Sequence, residues 1–198
     1  HLAAEQAERT LTYPMFVKPA NAGSSVGVSK AKNHAELQQA LLLASQYDRK
    51  ILVEQGHNVR EIEVAVLGND RPEASVAGEI IASNDFYDYK AKYVDNKSVA
   101  QIPADLTSKE RETIDQLAKA AYQALDCAGL ARVDFFISKD DGRIYLNEIN
   151  TLPGFTEISM YAKLWQASGL PMTKLLDELV DLAFERFQDR QKNCIQLL

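Results

Sequence analysis

The residues best equipped for chemistry lie in one run, Arg132-Val-Asp-Phe-Phe-Ile-Ser-Lys-Asp-Asp-Gly-Arg-Ile-Tyr-Leu-Asn-Glu-Ile-Asn150. Two apolar segments rich in β-formers flank a polar turn at Asp140-Asp141-Gly142, the pattern of a β-hairpin. A three-residue loop with Gly142 in the left-handed region pairs Lys139 with Arg143. Counting outward, Asp134 faces Glu148 and Arg132 faces Asn150. Side chains alternate with period two, so these four share one face with Phe136 and Leu146. Directly opposed carboxylates destabilise a strand pair unless a cation lies between them. A hard divalent ion such as Mg²⁺ takes oxygen donors of this kind and keeps room for water and phosphate oxygens. The hairpin alone leaves a second reading open, a solvated polar face on an edge ribbon. A two-residue loop at Asp141-Gly142 would shift the pairing by one and separate the acids.

The elements that must position this face follow from the rest of the chain. Leu2 to about Arg9 reads as a helix, and Met15–Pro19 as a short strand carrying Lys18 ahead of its terminating proline. Ala20–Ser29 is a loop of small residues without P-loop spacing. Ser24 and Ser25 and the loop's backbone N–H groups suit a phosphate, with Lys18 upstream, although a loop of this kind taken alone is more often a plain turn. Asn33-x-x-Glu36 has capping-box spacing and opens a helix. Lys50–Glu54 is a buried strand ending in an acid. Gln55-Gly56-His57-Asn58 reads as a hinge, dividing the chain into 1–54 and 55–198. Arg60–Leu67 and Ala74–Ile81 form two antiparallel strands, with Glu61 and Glu63 on one face. Either acid could meet a ribose or a cation, and a solvated face is the plainer reading for at least one.

Ser83–Pro103 shows no clear period. Its tyrosines and lysines suit a lid over a ligand, since loops this long in compact domains tend to be functional or disordered. Thr107-x-x-Glu110 starts a long helix with Ile114, Leu117, Ala118, Ala121 and Leu125 as its core stripe. After the hairpin, 131–150, a short helix carries Ser159, Met160 and a core Trp165. A last helix presents Leu176, Val180, Ala183 and Phe187 to the core.

The totals limit the reading. A chain of 198 residues holds one large domain or two small ones. With 46% hydrophobic and 25% charged residues it has a globular composition, and its net charge of −6 argues against a general nucleic-acid binder. No stretch is long enough to span a bilayer and no signal peptide opens the chain, so a cytoplasmic location is expected. Cys127 and Cys194 suggest no disulfide framework. His1-Leu-Ala-Ala-Glu-Gln begins in what reads as mid-helix without a Met, as expected for a piece of a longer protein.

Four stretches then carry a family resemblance: Val17-Lys18-Pro19-Ala-Asn-x-Gly-Ser-Ser-Val-Gly27, Phe86-Tyr-Asp-Tyr-Lys-Ala-Lys-Tyr93, Arg132-Val-Asp134 and Asn147-Glu-Ile-Asn-Thr-x-Pro-Gly154. In this order, over nearly the whole chain, they resemble the D-alanine–D-alanine ligases of the ATP-grasp superfamily. The resemblance implies an α+β ATP-grasp fold, two subdomains whose antiparallel sheets sandwich the nucleotide, with ATP and two Mg²⁺ (or Mn²⁺) as cofactors. It places Lys18 near adenine and the α-phosphate, and Ser24, Ser25 and Val26 over the β- and γ-phosphates. Glu54 would meet the adenine amino group, Glu61 the ribose, and Lys92 the γ-phosphate, with Tyr87 and Asn147 also at the nucleotide. Asp134 and Glu148 would hold one ion, Glu148 and Asn150 the second. Arg132 and the Gly154 N–H would stabilise a tetrahedral oxyanion, and Ser159 and Met160 would place the carboxylate of the second D-alanine.

In the implied reaction one D-alanine carboxylate takes the γ-phosphoryl group of ATP. The amine of a second D-alanine then displaces phosphate, giving a dipeptide for peptidoglycan precursors. Tyr93 would latch the lid to Ser24, and its being Tyr and not Phe favours D-alanine over D-lactate as second substrate. The full-length enzyme is expected to be a homodimer. Gln55 stands where relatives often carry Lys, which puts a side-chain contact there in doubt. The family's N-terminal domain and part of its central domain lie outside this sequence, so little ligation is expected from the chain alone. The rival expectations are an ATP-grasp ligase with another acceptor, and a non-catalytic nucleotide-binding module.

Overall fold

The computed structural model describes residues 2–81, 99–156 and 159–192. They form two compact units, one made of the chain up to Asn58 together with Val99, and the other of Val59–Ile81 with the chain from Ala100 onward. The break falls at the end of the Gln55–Asn58 segment.

The first unit comprises α1 (Leu2–Glu8), β1 (Met15–Pro19), β2 (Ser29–Ala31), α2 (His34–Ala44) and β3 (Ile51–Gln55), its strands ordered β2-β1-β3 and all antiparallel. Period two on β1 sends Met15 and Val17 into a core with Ala4 of α1 and Leu37, Ala40 and Ala44 of α2. Phe16 and Lys18 are left on the opposite face. Asn33 caps α2 by accepting the Glu36 N–H at 3.0 Å. The return half of the expected capping box is altered, because the Glu36 carboxylate takes the Lys32 N–H at 2.8 Å and the Asn33 side-chain amide at 2.7 Å.

The second unit comprises β4 (Val59–Gly68), β5 (Glu73–Ala74), β6 (Gly78–Ile81), β7 (Val99–Gln101), α3 (Ser108–Ala124), β8 (Gly129–Ser138), β9 (Ile144–Asn150), α4 (Met160–Ala167) and α5 (Met172–Gln191). Its sheet runs β7-β6-β4-β8-β9, with β5 also on β4. The single strand expected over Ala74–Ile81 is two pieces. Ser75 breaks it, its Oγ taking the Ala65 N–H at 3.0 Å and its own N–H reaching the Ala65 carbonyl at 2.8 Å. Val99–Gln101, expected as the end of the long loop, is instead an edge strand.

β4 and β8 pair without interruption from Val59↔Ser138 to Gly68↔Gly129. One face of the pair (Ile62, Val64, Val66, Val133, Phe135, Ile137) packs on Ile114, Ala118 and Tyr122 of α3. The other face buries Ala65 and Leu67 against Tyr161, Leu164 and Trp165 of α4 and Leu175 of α5. The Tyr122 hydroxyl donates to the Gly68 carbonyl at 2.8 Å and the Tyr161 hydroxyl to that of Val66 at 3.0 Å, so β4 is pinned from both layers. Burial pushes both phenols above their ordinary value.

Two helices are out of phase with the stripes read from the sequence. On α3 the buried line is Ile114, Ala118 and Tyr122, while Leu117 and Leu125 are 42% and 64% exposed. Tyr122 enters the core because its hydroxyl has a carbonyl to bond. On α5 Leu175 is buried with Leu179 and Leu182 beside it, whereas Leu176, Val180 and Phe187 are 46%, 54% and 59% exposed and Ala183 is exposed too.

Thr107 closes both arms of the predicted capping box at the start of α3. Its hydroxyl accepts the Glu110 N–H at 3.2 Å, and the Glu110 carboxylate accepts the Thr107 N–H at 2.8 Å. Hydrogen bonds from the Thr107 side chain and backbone hold the Glu110 carboxyl below its ordinary value of 4.5. The stabilisation is therefore complete above that value and lost as acid protonates the folded carboxylate. Thr107→Ala is expected to lower stability by about 1 kcal/mol at pH 7. Urea melts at stepped pH should show the deficit shrinking as pH falls below 4.5; a constant deficit would assign it to something other than the box.

Candidate active site

The hairpin tip differs from the expected three-residue loop. The Ser138 N–H donates to the Arg143 carbonyl and the Gly142 N–H to the Ser138 carbonyl, both at 2.9 Å, so Lys139–Gly142 form a four-residue loop. Gly142 takes a φ of +69°, as its place in the turn requires. The longer loop shifts the outer pairs by one, to Ile137↔Ile144, Phe136↔Tyr145 and Phe135↔Leu146. Asn147 is then bulged out, and the pairs Asp134↔Glu148, Val133↔Ile149 and Arg132↔Asn150 resume. Leu146 accordingly pairs with core-facing Phe135, not on the acidic face where it was expected.

Three carboxylates stand abreast on adjacent strands, since Asp134 pairs with Glu63 of β4 on one side and Glu148 of β9 on the other. Arg132 balances them. Its Nε and Nη2 donate to Asp134 Oδ1 and Oδ2, each at 2.7 Å, and Nε lies 3.2 Å from Glu63 Oε2. The three side chains are 19%, 12% and 14% exposed for Arg132, Asp134 and Glu63, so this network is largely desolvated. Burial alone pulls the Arg132 guanidinium down, but the Asp134 hydrogen bond and the charges of Asp134, Glu63 and Glu148 outweigh it and hold the group above its ordinary value. Glu61, two residues before Glu63, pairs with Phe136 and shares this face.

Asn150 ends the hairpin, its Oδ1 accepting the Leu152 N–H at 3.2 Å and starting the turn that leads to Gly154. A Cβ at Gly154 would lie 3.2 Å from Ser159 Oγ. That hydroxyl already accepts the Thr156 N–H at 3.0 Å and sits 2.9 Å from Thr156 Oγ1. Ser159 thus closes the loop ahead of α4 and makes no side-chain cap to the helix. The Met160 side chain packs with the α4 apolar cluster, so close to Gly78 that a Cβ there would lie 2.7 Å from its Cε.

In the first unit, Lys18 Nζ and Glu54 Oε1 form an ion pair at 2.8 Å on the face opposite the core. β1 and β3 place them diagonally, Lys18 opposite Leu52 and Glu54 opposite Phe16. Ser24 and Ser25 take left-handed φ values of +55° and +59°, unusual for residues with a Cβ. Gly27, at φ +72°, closes this loop where a Cβ would lie 2.6 Å from Tyr47 Cδ2 and 2.9 Å from Pro19 Cγ. Val26, between them, is 37% exposed. Tyr87, Lys92 and Tyr93 lie outside the described residues, as does Cys194.

A family profile described as D-ala D-ala ligase C-terminus matches residues 2–181. The chain belongs to the D-alanine–D-alanine ligase family. Proteins named D-alanine–D-alanine ligase from Ruminiclostridium cellulolyticum and Acetivibrio thermocellus are 59% identical over 195 residues and 56% identical over 188. The matches take in 98% and 95% of this chain but 52% and 50% of those proteins. The structure of the D-alanine-D-alanine ligase from Coxiella burnetii superposes with a TM-score of 0.83 at 39% identity, covering 96% of this chain and 50% of that one. The VanG D-Ala:D-Ser ligase from Enterococcus faecalis gives 0.82 at 39% identity over 91% and 52%. The chain spans about half the length of the curated relatives it matches.

For this D-alanine–D-alanine ligase family member, the α+β architecture with antiparallel sheets matches that of the family's solved structures. The structure gathers Glu61, Arg132, Asp134, Glu148 and Asn150 on one sheet face, and Lys18 with Glu54 on another. Among the described residues, no three His, Cys, Asp or Glu side chains gather closely enough to form a metal cage by themselves. The donor chemistry still fits Mg²⁺, which uses one or two carboxylates and fills its shell with water and phosphate oxygens. The residue pattern left Glu61 and Glu63 as alternatives, and the resemblance took Glu61 for the ribose and gave Glu63 no role. Its signal lay in the β4–β8 register, which puts it beside Asp134 and within reach of Arg132.

Proposed function

We propose that this chain is the nucleotide, metal and second-substrate half of an enzyme that joins two D-alanine molecules at the expense of ATP. The observation that carries the reading is the pairing of Asp134 with Glu148 and the fork of Arg132 on Asp134, all residues the family resemblance singled out, with Glu63 completing the row. In this reading Asp134 and Glu148 hold one Mg²⁺, and Glu148 and Asn150 a second. The ions supply charge neutralisation at the transferring phosphoryl group. Lys18, Ser24, Ser25 and Val26, with Lys92, hold the phosphates. Glu54 and Glu61 take the adenine and ribose ends, with Tyr87 and Asn147 beside them.

The D-alanine carboxylate oxygen bonds to the γ-phosphorus as the bond to ADP breaks. The amine of the second D-alanine then attacks the acyl carbon, loses its proton and expels phosphate. Arg132 and the Gly154 N–H face the oxyanion of that second step, where preorganised donors are worth most. Ser159 and Met160 position the second carboxylate, and Tyr93 latches the lid. An acyl phosphate hydrolyses readily, which gives water exclusion a purpose. On the same reading the full-length protein is a cytoplasmic homodimer. Among the described residues no helix is long and apolar enough to cross a membrane.

The test is phosphate release from ATP by the full-length protein on adding D-alanine, D-serine, D-lactate or L-alanine. The expected result is release with D-alanine alone and a D-alanyl-D-alanine product. Because the D-Ala:D-Ser ligase structure is as identical to this chain as the D-Ala-D-Ala one, preferred incorporation of D-serine is the second reading. Release that no amino acid stimulates would leave only a nucleotide-binding module.

A further inference from the structure

We infer that Glu63 is a positioning residue that keeps Arg132 in place while Asp134 is given over to a divalent cation. This rests on the metal reading of Asp134 and Glu148 proposed above. Arg132 forks onto both Asp134 oxygens at 2.7 Å, a bidentate charge-assisted pair of the strong kind. Those are the oxygens a cation needs, so the arginine and the metal compete for one acid.

A cation on Asp134 also repels the guanidinium beside it, and in a site this desolvated the repulsion is weakly screened. Arg132 must therefore have a second anion to stay near the reacting atoms. Glu148 cannot serve, because the reading already commits it to the metal. Glu63 can. It pairs with Asp134 across the strands, its Oε2 is 3.2 Å from Arg132 Nε, and its side chain is 14% exposed. It stands on the side of Asp134 away from Glu148, so it draws the guanidinium away from the shared acid. β4 fixes it there, since its neighbour on the other side is Gly78, packed under Met160 and Leu164.

Plain charge removal and this role make different predictions. If Glu63 only adds negative charge, Glu63→Gln weakens cation binding by the same factor whatever stands at position 132. If it holds Arg132 off Asp134, Glu63→Gln lets the arginine settle wholly on that acid, and the loss depends on the arginine. The experiment measures Mn²⁺ affinity by electron paramagnetic resonance, in saturating ADP, on the full-length protein. It compares wild type, E63Q, R132M and the double variant. E63Q should weaken Mn²⁺ at least about fivefold more in the wild-type background than in R132M, a coupling typical of contacting residues. Equal losses within about twofold, or no bound Mn²⁺ in the wild type, would overturn the inference.

Should R132M not fold, R132K replaces it, because lysine cannot make the fork, and the same inequality is expected. In the same preparations, kcat for ADP release should drop in E63Q with the KM for ATP little changed, and E63D should recover part of it. The D-alanine dependence of wild-type ADP release is read separately. A wild type that ignores D-alanine but shows the Mn²⁺ coupling defeats the ligase reading and leaves the role of Glu63 standing.

Discussion

Arg132→Met in the full-length protein is expected to lower D-alanine-dependent ADP release by about 10³-fold, the loss seen when a preorganised donor to an oxyanion is removed. The same change should lower stability by about 3–5 kcal/mol, because it leaves buried carboxylates without their counter-charge. Asp134 and Glu63 are 12% and 14% exposed and are both held by this guanidinium. Steady-state kinetics and urea melts separate the two effects. Arg132→Lys restores the charge without the fork, so it should regain much of the stability and little of the rate. A lysine variant with full activity would remove Arg132 from the reacting centre.

Glu148→Gln should move function and stability in opposite directions. Glu148 is exposed and stands directly across from Asp134. Without metal, removing its charge relieves the opposition to Asp134, which outweighs its attraction to Arg132, the smallest of the three carboxylate contributions there, and should raise stability by about 0.2–1 kcal/mol. With metal, the variant lacks an oxygen anion shared by both proposed ions. The Mg²⁺ concentration for half-maximal rate should rise by at least about 10-fold, in the range that losses around a metal site produce. Thermal melts in EDTA and Mg²⁺ titrations of ADP release check the two halves. A metal-free variant less stable than wild type would show that Glu148 has a structural partner and is not an acid awaiting a cation.

The hairpin shows how far residue patterns reach and where they fail. The facing of Asp134 with Glu148 and of Arg132 with Asn150 was legible in the sequence, although two departures from regular pairing lie between these pairs and the tip and cancel. The tip loop is one residue longer than the turn chemistry of Asp141-Gly142 indicated, and the bulge at Asn147 takes up the extra residue. A bulge is settled by what the strand packs on, here Ile149 against the core below Val133, so no local composition announces it. Helix phase failed for a related reason. The apolar residues of α5 occupy neighbouring stripes, and Leu175 was chosen over Leu176 by the shape of the cluster around Tyr161 and Trp165. Glu63 could be placed only once β4 and β8 were paired, which is tertiary information. Lys18, the serine loop and the Arg132–Asn150 motif were singled out by their residue types together with the family resemblance, neither of which depends on how the elements pack.

The bulge at Asn147 also separates two parts of the hairpin that could otherwise not vary independently. Inward of it, Asp134 is fixed through the uninterrupted pairing of β8 with β4, and Glu148 through its own pairing with Asp134. Outward of it, Lys139–Arg143 are all exposed. Insertions or deletions at this exposed tip lie outside the pairings that hold the acids. The tip is thus the place where chain length can drift during evolution, or where a peptide tag can be spliced, without realigning the acidic face.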